Sequence, residues 1–284
     1  MGIAEEAQIV RMGEVPLGSP LAPEPGTFLR LDVLVGLVAV PALLWVNPEC
    51  SDRLLVLTNG AVAREESKSP LEVFQRRTWA DQFHAHVLYL SDPTLRPEND
   101  LRIGWGQGEA DRYALPAMAQ AVQYVSECLD VPSHQHLYYG SSAGGFQALQ
   151  LAARDDGSYA LVNNPQVDWS KYVSYFPRKA AEYAYGTSDV ESVRQEFPDR
   201  VSAAKAIEDL GYIPKIRYLV NAASKNDIEA QLSEFMRGVK SSGSRLADTK
   251  VDISVYYDKA LGHWPLPKPR TLAAINHSLA EGNS

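Results

Sequence analysis

The segment Gly140 to Gly144, Gly-Ser-Ser-Ala-Gly, has the spacing of a serine nucleophile held in a sharp turn. An apolar run precedes it at 136–139, and a run rich in alanine and leucine follows it at 146–153 with helical spacing. A G-x-S-x-G between a strand and a helix is typical of a nucleophile elbow, where the glycines leave no Cβ to clash. The pattern predicts Ser142 as the nucleophile and the amide of Ala143 as one donor to an oxyanion. The alternative interpretation is a Gly-Ser turn that merely connects two elements.

Two later residues have the types that a serine nucleophile requires. A serine alkoxide is inaccessible near neutral pH, so an imidazole must accept the hydroxyl proton and a carboxylate must fix the tautomer of that imidazole. Asp227 follows the apolar run 216–220, and His263 follows the predicted last strand at 251–257. Because each residue comes at or just after the end of a core strand, we expect Ser142, Asp227 and His263 to meet at one sheet edge.

Other acids and histidines are available to the chain, and their positions distinguish them. Asp258 lies within a few residues of His263 and Asp252 lies inside a predicted strand, so neither follows the strand before the last one. The remaining histidines, which we interpret as solvated or capping residues, are His84, His86, His134, His136 and His277.

A second oxyanion donor is predicted after the apolar run 54–58, which has the composition of a strand buried on both faces. That run ends in Asn59-Gly60-Ala61, and a glycine allows close approach of the backbone to a substrate oxygen. Gly60 and Ala61 are the candidate donors. The same residues also fit a plain turn, because Asn-Gly is a common turn dipeptide.

Four residues are candidates for contact with a substrate. Trp105 stands among three glycines in the loop 104–108, and Trp264 is adjacent to the predicted base. Asn164 and Gln166 follow a predicted strand, and ligands of parallel sheets bind outside the carboxyl ends of the strands. Loop packing and local hydrogen bonding are the alternatives for these residues.

The sequence divides into an arm, a core and an insertion. Residues 1–27 are predicted to be an N-terminal arm, since 12–26 contains four prolines and three glycines. Residues 28–168 and 214–284 are predicted to form the core. The aromatic-rich, mainly helical segment 169–213 is predicted to be a cap, and simple packing onto the core is its alternative.

The apolar start of the core is predicted to be a pair of strands near the sheet edge. Phe28 to Val35 and Ala42 to Val46 are the two runs, and Pro41 is expected to break the chain between them. Their uninterrupted apolar length is too short for a membrane helix.

Composition limits the classes of partner. The chain has 284 residues, a formal net charge of −8 and a pI near 5.3, which argue against a nucleic-acid or anionic-membrane surface. Small-molecule partners are therefore expected, and the oligomeric state stays open. Only Cys50 and Cys128 are present, so no disulfide framework and no metal site are predicted. Glu5 and Glu6 and the absence of an apolar core near the start predict a cytoplasmic protein without a secretory signal.

The Gly140 to Gly144 motif, Asp227 and His263, in this chain order, resemble the α/β-hydrolase superfamily from about Phe28 to the C-terminus. The resemblance implies a mostly parallel, doubly wound sheet, a helical cap inserted after the sixth strand, and Ser-His-Asp acyl transfer without a metal or organic cofactor. The chain departs from many lipases and esterases at Asn59-Gly60-Ala61, where they carry His-Gly or His-Gly-Gly-Gly. This departure leaves the second oxyanion donor open.

The stretch Tyr138 to Phe146, together with Asn164-Pro165-Gln166, also resembles bacterial hydrolase-like proteins associated with surface glycans, some of which transfer acetyl groups. Three hypotheses follow. The first is a serine hydrolase that cleaves an ester or thioester through an acyl-enzyme on Ser142. The second is an acyltransferase that passes the acyl group to a sugar or other hydroxyl, and the third is a non-catalytic binding protein with a hydrolase fold.

Overall fold

Nine strands form one sheet among the residues that the computed structural model describes. The residues that the structure describes are 8–11, 21, 24–49, 52–64, 69–173, 175–241 and 251–281. In chain order, β1 to β9 are Gln8–Arg11, Phe28–Val35, Val38–Trp45, Leu54–Thr58, His86–Leu90, His136–Ser142, Tyr159–Pro165, Lys215–Asn221 and Val251–Tyr256. Most of the predicted arm 1–27, and Cys50, lie outside the described residues.

The strand order is β1-β2-β3-β5-β4-β6-β7-β8-β9. Only β3 runs antiparallel to its neighbours, and every other pairing is parallel. The predicted mostly parallel sheet is therefore confirmed. Because the parallel strands β4, β6, β7, β8 and β9 adjoin one another, the residues that follow them are brought to one edge of the sheet.

Strand β3 begins earlier than the sequence suggested, at Val38, and it continues through Pro41. Proline lacks a backbone N–H and is disfavoured inside a sheet. Pro41 faces Asp32 on β2, whereas pairing of β3 with β5 begins only at Ala42. The missing N–H is tolerated because Pro41 lies at the end of the ladder with β5, where its carbonyl still accepts the Ser91 N–H at 2.9 Å.

Helices cover both faces of the sheet. In chain order, α1 to α8 are Ala114–Cys128, Ala143–Ala152, Tyr175–Tyr185, Val190–Glu196, Pro198–Val201, Ala203–Leu210, Ser233–Ser241 and Lys268–Glu281. Buried residues of α1, α2, α6 and α7 pack on one face, and α8 packs on the other with the segment that contains Phe74, Ala80 and Phe83. This is the doubly wound arrangement. Within the described ranges, no helix has the length and apolar character needed to span a membrane.

The segment between β7 and β8 holds α3 to α6. It follows the sixth strand counted from β2, because β1 lies in the predicted arm, and Asp168 at its start is buried against the core. The Asp168 carboxylate is completely buried and lies 3.2 Å from Arg194 and 3.7 Å from Lys171. Burial raises the pKa of this carboxyl, and the neighbouring cations oppose the shift. The Asp168 N–H donates to Gln231 at 2.9 Å. That the segment 169–213 acts as a cap stays a prediction.

Candidate active site

Ser142 lies at the junction of β6 and α2 in a strained backbone conformation, with φ 56° and ψ −126°. The turn depends on glycines. A Cβ on Gly140 would lie 2.2 Å from the carbonyl carbon of Gly144, and a Cβ on Gly144 would lie 2.9 Å from the Thr58 carbonyl oxygen. The helix α2 can therefore begin directly against β4 and β6, which leaves the Ser142 side chain at the strand end with Ala143 as the first helical residue.

The three residues of the predicted triad lie within hydrogen-bond distance. His263 Nε2 is 2.9 Å from Ser142 Oγ, and His263 Nδ1 is 2.8 Å from both carboxylate oxygens of Asp227. A carboxylate only accepts, so Nδ1 carries the imidazole proton and Nε2 is left to accept the hydroxyl proton. Asp227 is completely buried, whereas the His263 side chain is 30% exposed. The geometry suits transfer of the hydroxyl proton to the imidazole.

The rival acid Asp258 has a different set of contacts. Its carboxylate accepts the backbone N–H groups of Ala260 at 3.0 Å and Leu261 at 3.1 Å. These bonds shape the turn that leads to His263. Asp227 instead begins a single π-helical segment, Asp227–Leu232, just after β8.

The predicted oxyanion donor Gly60 is engaged by another side chain. Its backbone N–H donates to Gln75 Oε1 at 3.1 Å, and Gln75 Nε2 donates to the Ala61 carbonyl at 3.0 Å. A Cβ on Gly60 would lie 3.9 Å from the Ser142 Cβ, so the loop runs beside the elbow. A substrate oxygen would have to displace the Gln75 amide to use the Gly60 N–H. The donor roles of Ala143, Gly60 and Ala61 stay predictions.

Gln166 contacts Ser142 directly. Its Nε2 donates to Ser142 Oγ at 3.0 Å, and its backbone N–H donates to the Ser142 carbonyl at 3.0 Å. The indole Nε1 of Trp105 donates to Gln166 Oε1. Because an indole N–H only donates, it fixes the amide oxygen on its own side and directs the amide NH₂ to the serine. The sequence interpretation named Gln166 and Trp105 as candidate substrate contacts. In the structure both side chains are completely buried.

The loop that carries Trp105 is anchored on Asp92. The Asp92 carboxylate accepts the N–H of Thr94 at 2.9 Å and the N–H of Gly106 at 3.0 Å. The Asp92 N–H in turn donates to Asn59 Oδ1 at 2.9 Å. Asp92 is buried, and this burial raises the pKa of its carboxyl despite the N–H donors. The loop conformation is thus set from inside the protein.

Asn164 joins strand β7 to the loop that carries His263. Its Nδ2 donates to the carbonyls of His263 at 3.1 Å and Trp264 at 3.2 Å, and its Oδ1 accepts the Asn221 N–H at 2.8 Å. Asn221 Nδ2 donates to the carbonyls of Asp258 and Gly262 at 2.7 and 2.8 Å. Asn164 is thus fully used within the protein, whereas the Trp264 side chain is 74% exposed. Their contacts with a substrate stay predictions.

Backbone strain is concentrated around the elbow. Five described non-glycine residues have positive φ, and four of them lie at or beside the site: Arg76, Trp105, Ser142 and Asn164. Such conformations are costly and persist where the surroundings impose them, often at functional sites. The fifth, Asp130, lies just beyond α1.

Three residues at the site were missed by the sequence interpretation. Tyr172 packs its ring 5.7 Å from the His263 ring, and burial together with the charge of Asp227 raises the pKa of its phenol. Gln75 reaches the oxyanion loop, and Arg76 Nη2 donates to Ser141 Oγ at 3.2 Å. The aromatic content of 169–213 was the available signal for Tyr172, whereas nothing in the local sequence marked the other two.

Within the described ranges, no group of three or more His, Cys, Asp or Glu side chains is placed to hold a metal ion.

The fold and the site together define an α/β-hydrolase fold, with a serine at the elbow and a histidine and an aspartate from later strand ends. No model of a protein family matches the sequence, and no curated protein matches it. Solved structures of low sequence identity share the fold.

The chain is similar to dipeptidyl peptidase 4 of Porphyromonas gingivalis, with a TM-score of 0.63 and 13% identity over 91% of this chain. It spans 36% of the length of that enzyme. It is also similar to the capsule O-acetyltransferase of Neisseria meningitidis serogroup A, with a TM-score of 0.62 and 12% identity over 92% of this chain and 96% of the other. Carboxyl esterase 2 of Tuber melanosporum has a TM-score of 0.57 and 17% identity over 95% of each chain.

Proposed function

We propose that the protein is a serine hydrolase that cleaves a carboxylic ester or thioester through an acyl-enzyme on Ser142. The observation that carries the proposal is the continuous hydrogen-bonded set Asp227–His263–Ser142, with distances of 2.8 and 2.9 Å. A serine hydroxyl in line with a base and an orienting carboxylate is the arrangement that activates a serine as a nucleophile.

The reaction begins with attack of Ser142 Oγ on the substrate carbonyl carbon while the hydroxyl proton passes to His263 Nε2. Asp227 stabilises the imidazolium, and backbone amides near Ala143 stabilise the oxyanion. The tetrahedral intermediate then breaks its bond to the leaving oxygen or sulfur, which takes the proton from Nε2. Water then attacks the acyl carbon while His263 Nε2 takes its proton. The bond to Ser142 Oγ breaks, Oγ recovers the proton from Nε2, and the carboxylic acid is released. The scheme needs no metal or organic cofactor.

An acyltransferase is the second candidate, and one observation favours it. The capsule O-acetyltransferase of Neisseria meningitidis serogroup A shares the fold over nearly the full length of both chains. The two reactions have the same first half and differ only in whether water or an alcohol, such as a sugar hydroxyl, accepts the acyl group. We take the partner to be a small-molecule ester, thioester or acylated glycan, and we keep a cytoplasmic location as part of the proposal.

Labelling with a fluorophosphonate followed by peptide mapping tests the acyl-enzyme step. We expect the label on Ser142 and repeated turnover of p-nitrophenyl acetate or butyrate. A burst of p-nitrophenol equal to the enzyme concentration, followed by a slow phase that an added sugar accelerates, would favour the transferase. The absence of both label and p-nitrophenol would leave only the non-catalytic binding protein.

A further inference from the structure

Arg76 is a cation placed next to the nucleophile. Its Nη2 donates to the hydroxyl of Ser141, whose Cα is about 3.8 Å from that of Ser142 because the two residues are consecutive. Its chain neighbour Gln75 contacts the loop at Gly60. The two residues 75 and 76 therefore lie along the edge of the elbow, one against the oxyanion loop and the other against the strand end.

The Arg76 guanidinium has no carboxylate partner within the described ranges. Five described arginines have a buried side-chain nitrogen without a hydrogen-bond partner: Arg30, Arg53, Arg76, Arg112 and Arg217. The other four each have a carboxylate within 4.0 Å. The Arg76 side chain is half-buried, and partial burial of a guanidinium without such a partner is unfavourable, because the desolvated part of the charge lacks compensation. The atom of Arg76 that lacks a hydrogen-bond partner is the buried Nη1.

A second cation lies against the same aromatic side chain. The Arg76 guanidinium is 5.8 Å from the centroid of the Trp79 ring and 5.1 Å from that of Tyr139. The ammonium of Lys268 is 5.4 Å from the centroid of the Trp79 ring. Lys268, too, has no carboxylate within 4.0 Å among the residues that the structure describes. Two like charges at one indole repel each other, and a negative group bound near them would relieve that repulsion.

We propose that Arg76 and Lys268 bind an anionic group of the substrate, a carboxylate or a phosphate, while the ester carbonyl lies at Ser142. This inference rests on the proposed ester cleavage. The planar guanidinium is suited to either anion, because its parallel N–H groups match two acceptor oxygens. The anionic group is assigned to the Trp79 side of the elbow, because both cations lie against the Trp79 ring.

Three p-nitrophenyl esters of similar acyl length test the proposal. They are the butyrate, which is neutral, the monosuccinate, which ends in a carboxylate, and the 3-phosphonopropanoate, which ends in a phosphonate. We expect kcat/KM to be at least about tenfold higher for one of the charged esters than for the butyrate, since a charge paired in a partly dry site is worth more than in water. The charged ester that is preferred identifies the anion. Equal rates for all three would overturn the proposal.

Substitution of the cation separates recognition from a structural role. Arg76→Gln should lower the ratio of kcat/KM for the charged ester to that for the butyrate by about tenfold or more, and Arg76→Lys should restore part of the ratio. Arg77→Gln is the matched control, because Arg77 is exposed and adjacent in the chain, and it should leave the ratio unchanged. Equal losses on charged and neutral esters in Arg76→Gln would show that Arg76 only supports the elbow.

Binding to Ser142→Ala keeps the inference testable without turnover. Calorimetric titration with monomethyl succinate and with methyl butyrate should give tighter binding of the succinate, and Arg76→Gln in the same background should remove the difference. If this preference is found but no ester is hydrolysed by the unmodified protein, the proposed hydrolase function fails and the anion site stands. If esters are hydrolysed and neither the succinate nor a phosphonate analogue binds preferentially, the anion site fails alone.

Discussion

Gln166 donates a hydrogen bond from Nε2 to Ser142 Oγ at 3.0 Å, across 24 positions of the chain. The orientation of this amide is set by Trp105, whose indole N–H donates a hydrogen bond to Gln166 Oε1. In the proposed reaction, partial negative charge develops on Oγ as the hydroxyl proton moves to the imidazole, and the Gln166 N–H is already directed at that oxygen. A preorganised donor of this kind needs no reorientation during the reaction.

Gln166→Leu should therefore lower kcat for p-nitrophenyl butyrate by about tenfold to a hundredfold, with little change in KM, because the lost bond forms part of transition-state stabilisation. Steady-state kinetics measure the two parameters separately. A rise in KM at constant kcat would instead assign Gln166 to substrate binding.

Trp105→Phe is the matched variant for the orientation of that amide. The phenyl ring keeps apolar contact with Trp169, whose ring is stacked on Trp105 at 5.5 Å, but it cannot hold the Gln166 oxygen. We expect a smaller fall in kcat than in Gln166→Leu, since the amide can still donate in part of its rotamers. A larger fall would mean that the indole has a role of its own.

Ser142→Ala should abolish turnover and fluorophosphonate labelling while the fold stays intact, because only the attacking oxygen is removed. Ser141→Ala is the control, since its hydroxyl accepts from Arg76 and does not contact the imidazole in the structure. Circular dichroism checks the fold, and mass spectrometry checks the label. Labelling that survives in Ser142→Ala but is lost in Ser141→Ala would contradict the register of the elbow.

Asp227→Asn should lower kcat by up to about four orders of magnitude, because the amide permits the wrong imidazole tautomer. Asp258→Asn should cost much less, since the carboxylate of Asp258 holds only the backbone of the turn at 258–261. Comparing kcat of the two variants decides between these acids. Near-normal activity of Asp227→Asn would remove it from the proposed mechanism.

Asp92 should make the free energy of unfolding depend on pH. Its native pKa is raised by burial, so the native state keeps the proton to higher pH than the unfolded chain does. Between the ordinary and the raised value the native state binds more protons, and stability falls as pH rises, by at most about 1.4 kcal/mol per pH unit. Urea unfolding from pH 4 to 8 should show a steeper fall in the protein than in Asp92→Asn, in which the raised pKa of Asp168 still contributes a fall of the same sign. If the free energy of unfolding of the unsubstituted protein instead rose with pH relative to that of Asp92→Asn, the native pKa of Asp92 would be lowered, which would contradict the prediction.

The sequence allowed prediction of the features that follow from local patterns. Apolar runs of strand length mark β4, β5, β6, β7 and β8, and the parallel sheet explains why residues after them meet. The start of β3 was missed because the effect of Pro41 depends on where the ladder between β3 and β5 ends. Local periodicity contains no information on that partner.

Side-chain direction in the site was beyond sequence interpretation for the same reason. The Gln166 amide is directed by an indole 61 positions earlier, and the Gly60 N–H is occupied by a side chain 15 positions later. Such contacts appear only when distant segments have been brought together. Residue type and strand position were enough to select Ser142, Asp227 and His263 as candidates, and their catalytic roles stay proposals.

We expect the amide contacts of Asn164 and Asn221 to make the base loop, which is the loop 258–264 that carries the proposed base, part of the cooperative unfolding unit of the sheet. Both asparagines are completely buried at the ends of β7 and β8, and they donate to the carbonyls of 258 and 262–264. Local opening that would misplace His263 should therefore need nearly the free energy of global unfolding. Heat inactivation and loss of the sheet should coincide, and the amides of the base loop should exchange hydrogen as slowly as those of the neighbouring strands.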